Sequence, residues 1–322
     1  MELKKRLELI KRNVVEIVTE KEFEELLKKK KNPVVYCGYE PSGPLHLGHF
    51  VTILKLMDLA NAGFEVKVLL ADVHALLNRK GGAEEINKET QMWKKIIKAI
   101  GLKSEIILGS EFQFDEMYQL DVMKLAQEVT INRGLRSMQE IARDIEHATI
   151  SQLWYPLMQV VDIKHLKADV ALGGLEQRKV HMIGKELNKV LNYDFVAMHT
   201  PLITSLKGPG QKMSKSIPGS CISITDPYEE IKKTIKEAYC PEKVAQDNPI
   251  LQIAKLIIFP TFNKIKIERA VKFGGTIEIH NYKELETIYI QGKLHPLDLK
   301  NSVSEYLEKI IAPIRKKFKP LS

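Results

Sequence analysis

Residues 34–50 read VVYCGYEPSGPLHLGHF. Val34-Val35-Tyr36-Cys37-Gly38 is a short apolar run of the kind buried in a sheet, and Pro41-Ser42-Gly43-Pro44 reads as a loop. From His46 onward, Ile53, Leu56, Met57 and Leu59 recur at helical spacing. Strand, loop and helix in direct succession are the opening of an α/β fold. The alternation continues with strand-like runs at 64–70 and 104–108 and helical patterns between them. Strands separated by helices predict a parallel sheet with right-handed crossovers.

Further along, residues 112 to about 149 read as helical and polar, carrying Arg133, Arg136 and Arg143. Trp154–His165 reads as a helix. Asp169–Gly174 reads as a strand ending in a tight turn, with a helix from about Glu176. The pattern then becomes helical, over 227–239, 248–258, 282–291 and 296–319. Pro218-Gly219-Ser220 and Asp226-Pro227 punctuate the change. A chain of 322 residues exceeds most single cores. The expected organisation is an α/β domain over 1–220 and a mainly helical domain over 221–322.

Composition narrows the class. With 44% hydrophobic and 28% charged residues the chain is of ordinary globular type. No apolar run approaches the roughly 18 residues that cross a bilayer, so no membrane association is expected. The start, Met1-Glu2-Leu3-Lys4-Lys5-Arg6, lacks a signal-peptide core. Cys37, Cys221 and Cys240 are scattered and odd in number, which argues for free thiols in a reducing cytoplasm and against a disulfide or a protein-held metal. The net charge of +8 suits a polyanionic partner.

Two motifs carry the chemistry. His46-Leu47-Gly48-His49 stands where a strand becomes a helix, a place where unpaired N–H groups attract anions. The two imidazoles lie on one face of the first turn and can donate to phosphate oxygens. Gly48 leaves room for a close approach. Lys212-Met213-Ser214-Lys215-Ser216 follows Gly208-Pro209-Gly210. Two ammonium groups and two hydroxyls on such a loop suit a diphosphate whose charge grows in a transition state.

In this order the two motifs resemble the HIGH and KMSKS signatures of class I aminoacyl-tRNA synthetases. Residues 34–50 resemble the tyrosyl enzymes of archaeal and eukaryotic cytoplasmic type. The resemblance runs from about residue 9 to 318. It implies a Rossmann-like catalytic domain, a helical anticodon-binding domain, and a homodimer formed through residues near 112–149. It implies activation of L-tyrosine by ATP with Mg²⁺, then transfer to the 2′ position of the terminal adenosine of tRNA(Tyr). His46, His49, Lys212 and Lys215 would be catalytic, and Gly38, Gly48 and Ser214 would join them around ATP.

The amino-acid pocket can be approached from the residues. Tyr155, Gln159 and Asp162 are spaced i, i+4, i+7 and share a helix face. A phenol, an amide and a carboxylate on an apolar face need partners. Tyr36 and Asp162 suit a substrate hydroxyl, one donating and one accepting. Tyr155, Gln159 and Gln177 suit an α-amino group. His74 is equally a pocket or a core residue. The resemblance further implies that Arg136, Arg178 and Lys179 read the acceptor stem, and that Phe273, His295 and Asp298 hold the anticodon guanine. Without it, Pro296 and Asp298 read simply as the first turn of a helix. The rivals are a tryptophanyl-tRNA synthetase, a non-catalytic RNA-binding relative and a small-acid nucleotidyltransferase.

Overall fold

The structure, a computed structural model, describes residues 3–138, 149–210, 213 and 217–318. The elements of the α/β part are α1 (Leu3–Lys11), β1 (Glu16–Val18), α2 (Glu20–Lys29), β2 (Val34–Tyr39), α3 (Leu47–Asn61), β3 (Glu65–Leu70), α4 (Asp72–Leu77), α5 (Ala83–Ile100), β4 (Glu105–Leu108), α6 (Glu116–Glu128), α7 (Ile131–Met138), α8 (Ile150–His165), β5 (Val170–Gly174), α9 (Arg178–Glu186), α10 (Asn188–Leu191) and β6 (Val196–Thr200). The helical part holds α11 (Tyr228–Glu237), α12 (Pro249–Ile253), α13 (Phe259–Thr261), β7 (Ile265–Ile267), β8 (Ile277–Ile279), α14 (Tyr282–Ile290) and α15 (Pro296–Lys317).

Six strands form one sheet in the order β1-β6-β5-β2-β3-β4. All neighbours are parallel except β1, which runs antiparallel to β6. Val35, Tyr36 and Cys37 are buried in succession, not alternately, because β2 is central and covered on both faces. The chain passes from β2 to β3 on one side and returns as β5 on the other. Such a reversal is where open α/β sheets bind ligands, beyond the carboxyl ends of the strands.

The chain divides into two compact units, Met1–Ser42 with Thr52–Leu202, and Gly43–Val51 with Ile203–Ser322. The division thus falls after Leu202, not near 220, and it moves the His46–His49 segment into the second unit. Backbone pairing explains this. Leu47 N–H donates to Ile222 O, Ile224 N–H donates to Leu45 O, and His46 bridges to Ser223.

The polar stretch from 112 is not one helix. Val129 ends α6 in an extended conformation, and Thr130 accepts from the N–H of Arg133 to start α7. Arg143 lies outside the described residues. The Asn248–Ile258 expectation becomes α12 followed by a π turn over Ala254–Ile258. In the second unit α15 packs on α11 and buries Leu299, Val303, Tyr306, Leu307, Ile311 and Ile314, one apolar stripe. The short β1, β7 and β8 were not anticipated, because three residues give no periodicity to read, nor was β6, whose five residues are all buried and do not alternate.

Candidate active site

The first unit gathers the expected pocket residues. Tyr36 on β2 and Tyr155 and Asp162 on α8 are buried, Asp162 at 0% exposure. Gln159 is half-buried, and its amide donates to Gln177 Oε1 at 3.0 Å. The i, i+4, i+7 face therefore exists, and the turn before α9 meets it.

Asp162 has partners that the sequence did not suggest. Gln113 Nε2 donates to its Oδ1 at 2.7 Å and the Tyr118 hydroxyl donates at 2.8 Å. Tyr118 belongs to α6 and Gln113 to the turn before it. Among the described residues the other oxygen, Oδ2, is buried without a hydrogen-bond partner, as are His74 Nε2 and Gln113 Oε1. His74 Nε2 stands 3.8 Å from that Oδ2, and its Nδ1 stands 3.3 Å from Gln113 Nε2. Burial holds His74 down to about 4, so it is neutral near pH 7 and the approach is no ion pair. Burial pushes the Asp162 carboxyl up to about 7, against the two donated hydrogen bonds. Burial, reinforced by the Asp162 charge, raises the Tyr36 phenol well above its ordinary value.

Three orphaned polar atoms around one carboxyl are costly unless a polar ligand meets them. Tyr36's own ring needs space as well. A Cβ at Gly38 would lie 2.6 Å from the Tyr36 hydroxyl, so Gly38 makes room for that phenol. Tyr155 differs from expectation in having a carboxylate at its hydroxyl. Burial raises its phenol first, followed by Glu40, which also receives Asn78 Nδ2 at 3.0 Å. Glu40 adds a negative charge beside Tyr155, as an ammonium group would require.

The second unit holds the histidine motif. The rings of His46 and His49 stack at 3.8 Å between centroids. His46 Nδ1 accepts from Gly48 N–H at 3.1 Å, and His49 Nδ1 faces His46 N–H at 3.3 Å. Both Nδ1 atoms face the backbone. Burial, then the His46 charge, pull His49 well below its ordinary value. Gly48 is filled from within the protein. A Cβ there would meet His46 Cε1 at 3.0 Å and Met213 Sδ at 3.5 Å. The Met213 contact brings the two motifs together. Lys212, Ser214 and Lys215 lie outside the described residues.

The expected RNA contacts are distributed as follows. Arg136 is exposed on α7, which packs against α9. Arg178 opens α9, and its Nε donates to Glu16 at 2.6 Å. Lys179 follows it. In the second unit Phe273 is 61% exposed, with the Lys272 ammonium 5.0 Å above its ring. His295 caps α15 by accepting from Leu297 N–H, and Asp298 sits in the first turn. Arg269, unforeseen, donates to Gly275 O and Lys293 O, tying the Phe273 loop to the approach of α15.

Comparison with known proteins agrees with this layout. The family described as tRNA synthetases class I (W and Y) matches residues 28–312. The tyrosine–tRNA ligase of Archaeoglobus fulgidus is 48% identical over 98% of this chain and 98% of its own. That of Methanosarcina barkeri is 48% identical over 97% and 98%. The crystal structure of tyrosyl-tRNA synthetase complexed with L-tyrosine from Archaeoglobus fulgidus superposes with a TM-score of 0.94, covering 98% of this chain and 99% of that one. A match over most of the chain, with tyrosine–tRNA ligases of archaea at 48% identity over nearly its full length, places the chain in the class I tryptophanyl and tyrosyl tRNA synthetase family, on its archaeal tyrosyl branch.

Proposed function

We propose that this chain ligates L-tyrosine to tRNA(Tyr) in two steps, acting in the cytoplasm as a homodimer. In the first step a carboxylate oxygen of tyrosine attacks the α-phosphorus of ATP. The bond to the β-phosphate breaks, pyrophosphate leaves with its Mg²⁺, and tyrosyl-AMP remains. In the second, a hydroxyl of the terminal adenosine attacks the acyl carbon and AMP leaves. Catalysis rests on donors aimed where charge develops. His46 and His49 supply imidazole donors, and Lys212, Ser214 and Lys215 bind the departing phosphates. Gly38 and Gly48 belong to the ATP site, where the places of their missing side chains are taken by the Tyr36 hydroxyl and the His46 ring.

The observation that supports tyrosine is the unpartnered Asp162 Oδ2, buried beside Tyr36. The substrate hydroxyl donates to Oδ2 and accepts from Tyr36. A site whose polar atoms need a hydroxyl rejects an amino acid without one, and tyrosyl-tRNA synthetases are themselves the standing case. Tyr155, Gln159 and Gln177 hold the α-amino group, with Glu40 adding charge. Arg136, Arg178 and Lys179 take the acceptor stem. Phe273 stacks on an anticodon base that His295 and Asp298 bind at its edge. Phe114, Met117, Leu120 and Met123, 42–68% exposed along and just before α6, supply the apolar dimer face.

The test is pyrophosphate exchange with each standard amino acid. Exchange with tyrosine alone is expected; exchange with tryptophan in its place, or with none, refutes the assignment.

A further inference from the structure

Three buried or half-buried polar side chains on and beneath α9, Glu16, His181 and His199, have no part in the chemistry described above. Glu16 and His199 are direct cross-strand partners on β1 and β6, and His199 is in turn opposite Gly173 on β5. Gly173 has no side chain, and that space takes the stem of Gln177 and the edge of the His181 ring. A Cβ at Gly173 would meet His181 Cε1 at 3.3 Å and Gln177 Cβ at 2.8 Å. His181 Nδ1 lies 2.9 Å from His199 Nε2, and His199 Nδ1 lies 2.9 Å from Glu16 Oε1. The same Oε1 receives Arg178 Nε at 2.6 Å. Arg178 and His181 are one turn apart on α9, so the chain of contacts closes on the helix from which it starts.

The direction of this chain follows from charge. His181 and His199 are 0% exposed, and burial lowers the pKa of both. Each is neutral and holds one proton. A bare Nδ1 on His199 would set a lone pair against a carboxylate oxygen, so that nitrogen carries the proton, although the contact is off the axis of a straight bond. His199 Nε2 is then an acceptor, and His181 Nδ1 donates to it. Both histidines are therefore Nδ1–H tautomers. Arg178 is engaged only through Nε. Its two terminal nitrogens have no partner among the described residues, and its side chain is 46% exposed.

We propose that Glu16, backed by His199 and His181, is a positioning residue for tRNA: it anchors Arg178 by Nε and presents the terminal nitrogens of the guanidinium as a fixed fork to an acceptor-stem phosphate or guanine edge. This rests on the assignment of Arg178 to the tRNA. A planar fork held by its root loses less freedom on binding two acceptors than a free side chain does. Glu16 touches neither tyrosine nor ATP in this scheme, so its effect belongs to the transfer step.

The experiment is a double-mutant cycle read in two assays. Glu16→Ala is expected to raise the KM for tRNA about tenfold while tyrosine-dependent pyrophosphate exchange stays within about twofold. Glu16→Gln, which keeps one acceptor oxygen between Arg178 and His199, recovers most of that loss. In an Arg178→Ala background, Glu16→Ala adds less than about twofold, because the group it aims is gone. Long-range nitrogen NMR of histidine-labelled protein shows Nδ1–H tautomers for His181 and His199, and Glu16→Ala releases His199 from that form. If Arg178→Ala charges tRNA normally, the RNA role of Arg178 fails and the proposal with it. If Arg178→Ala is impaired but Glu16→Ala is not, or if the two losses add in full, the proposal alone fails. A wild-type His199 in the Nε2–H form also overturns it.

Discussion

Replacing Asp162 by asparagine should weaken catalysis and strengthen the fold. In the folded protein Asp162 keeps its proton up to about pH 7. In the unfolded chain an aspartate loses it near pH 4. Between those values the folded state binds the extra proton, so this group makes stability fall as pH rises. A gap of about 3 units corresponds to about 4 kcal/mol at most, fully developed above pH 7 and absent below pH 4. Asparagine has no proton to lose. Its carbonyl still accepts from Gln113 and Tyr118, which donate to Oδ1 in the wild type. Asp162→Asn should therefore match the wild type in acid and exceed it increasingly from pH 5 to pH 8.

The catalytic effect has the opposite sign. Asparagine presents an N–H where Oδ2 stood, so above about pH 7, where Asp162 is ionised, the substrate hydroxyl loses a charged acceptor. Such a bond is worth about 1.5–3 kcal/mol, a fall of about 10- to 150-fold in kcat/KM for tyrosine. The KM for ATP should not move. Pyrophosphate exchange with tyrosine varied at saturating ATP measures the first effect, and thermal unfolding of both proteins at pH 5 and pH 8 measures the second. A variant that keeps tyrosine kcat/KM within about threefold, or a stability difference that does not change with pH, refutes the reasoning.

Three other perturbations test separate parts of the molecule. Gly48→Ala puts a methyl 3.0 Å from His46 Cε1 and should part the two imidazoles, lowering pyrophosphate exchange tenfold or more with the circular dichroism spectrum unchanged. Lys55→Met removes an ammonium that donates to Leu9 O, Ile10 O and Arg12 O at 2.6–2.9 Å. At about 1 kcal/mol for each stranded carbonyl, urea unfolding should show a loss of about 3 kcal/mol. Met117→Glu places a charge on the exposed face of α6 and should yield a monomer by light scattering; an unchanged dimer mass would move the interface elsewhere.

The parts of this site that lie on one element were legible in the sequence. Tyr155, Gln159 and Asp162 share α8, and helical spacing alone aligns them. The parts assembled from several elements were not. No periodicity links Gln113 or Tyr118 to Asp162, and Tyr118 was hidden in a stretch read as one polar helix. Its spacing to the buried Val122 and Leu125 was the available signal that it faces inward. Glu16 sits on a strand of three residues, and only the register with β6 places it opposite His199. The glycines were read for the wrong neighbours. The room read at Gly48 for a ligand is occupied by His46, and Gly173, in the strand expected over 169–174, makes room for Gln177 and His181, neither of which the spacing shows.

Two buried charges show how a functional site separates from a structural one by valence alone. Lys55 is 1% exposed, and burial lowers its pKa to about 7, yet its three protons have three carbonyls to meet. Nothing about it calls for a ligand; it closes the last turn of α1 against α3. Asp162 is equally deep, but among the described residues only one of its oxygens finds a partner. Among the described residues, Ser104 Oγ and Glu308 Oε2 are single orphans, and His181 Nε2 and His199 Nδ1 form a pair on adjoining rings. Around Asp162 three orphans converge, from α4, from the turn before α6 and from α8. A fold that fails to complete its hydrogen bonds at one point, while completing them at another of the same depth, keeps that failure because a substrate group corrects it. The convergence therefore singles out the hydroxyl end of the amino-acid pocket on physical grounds independent of any resemblance.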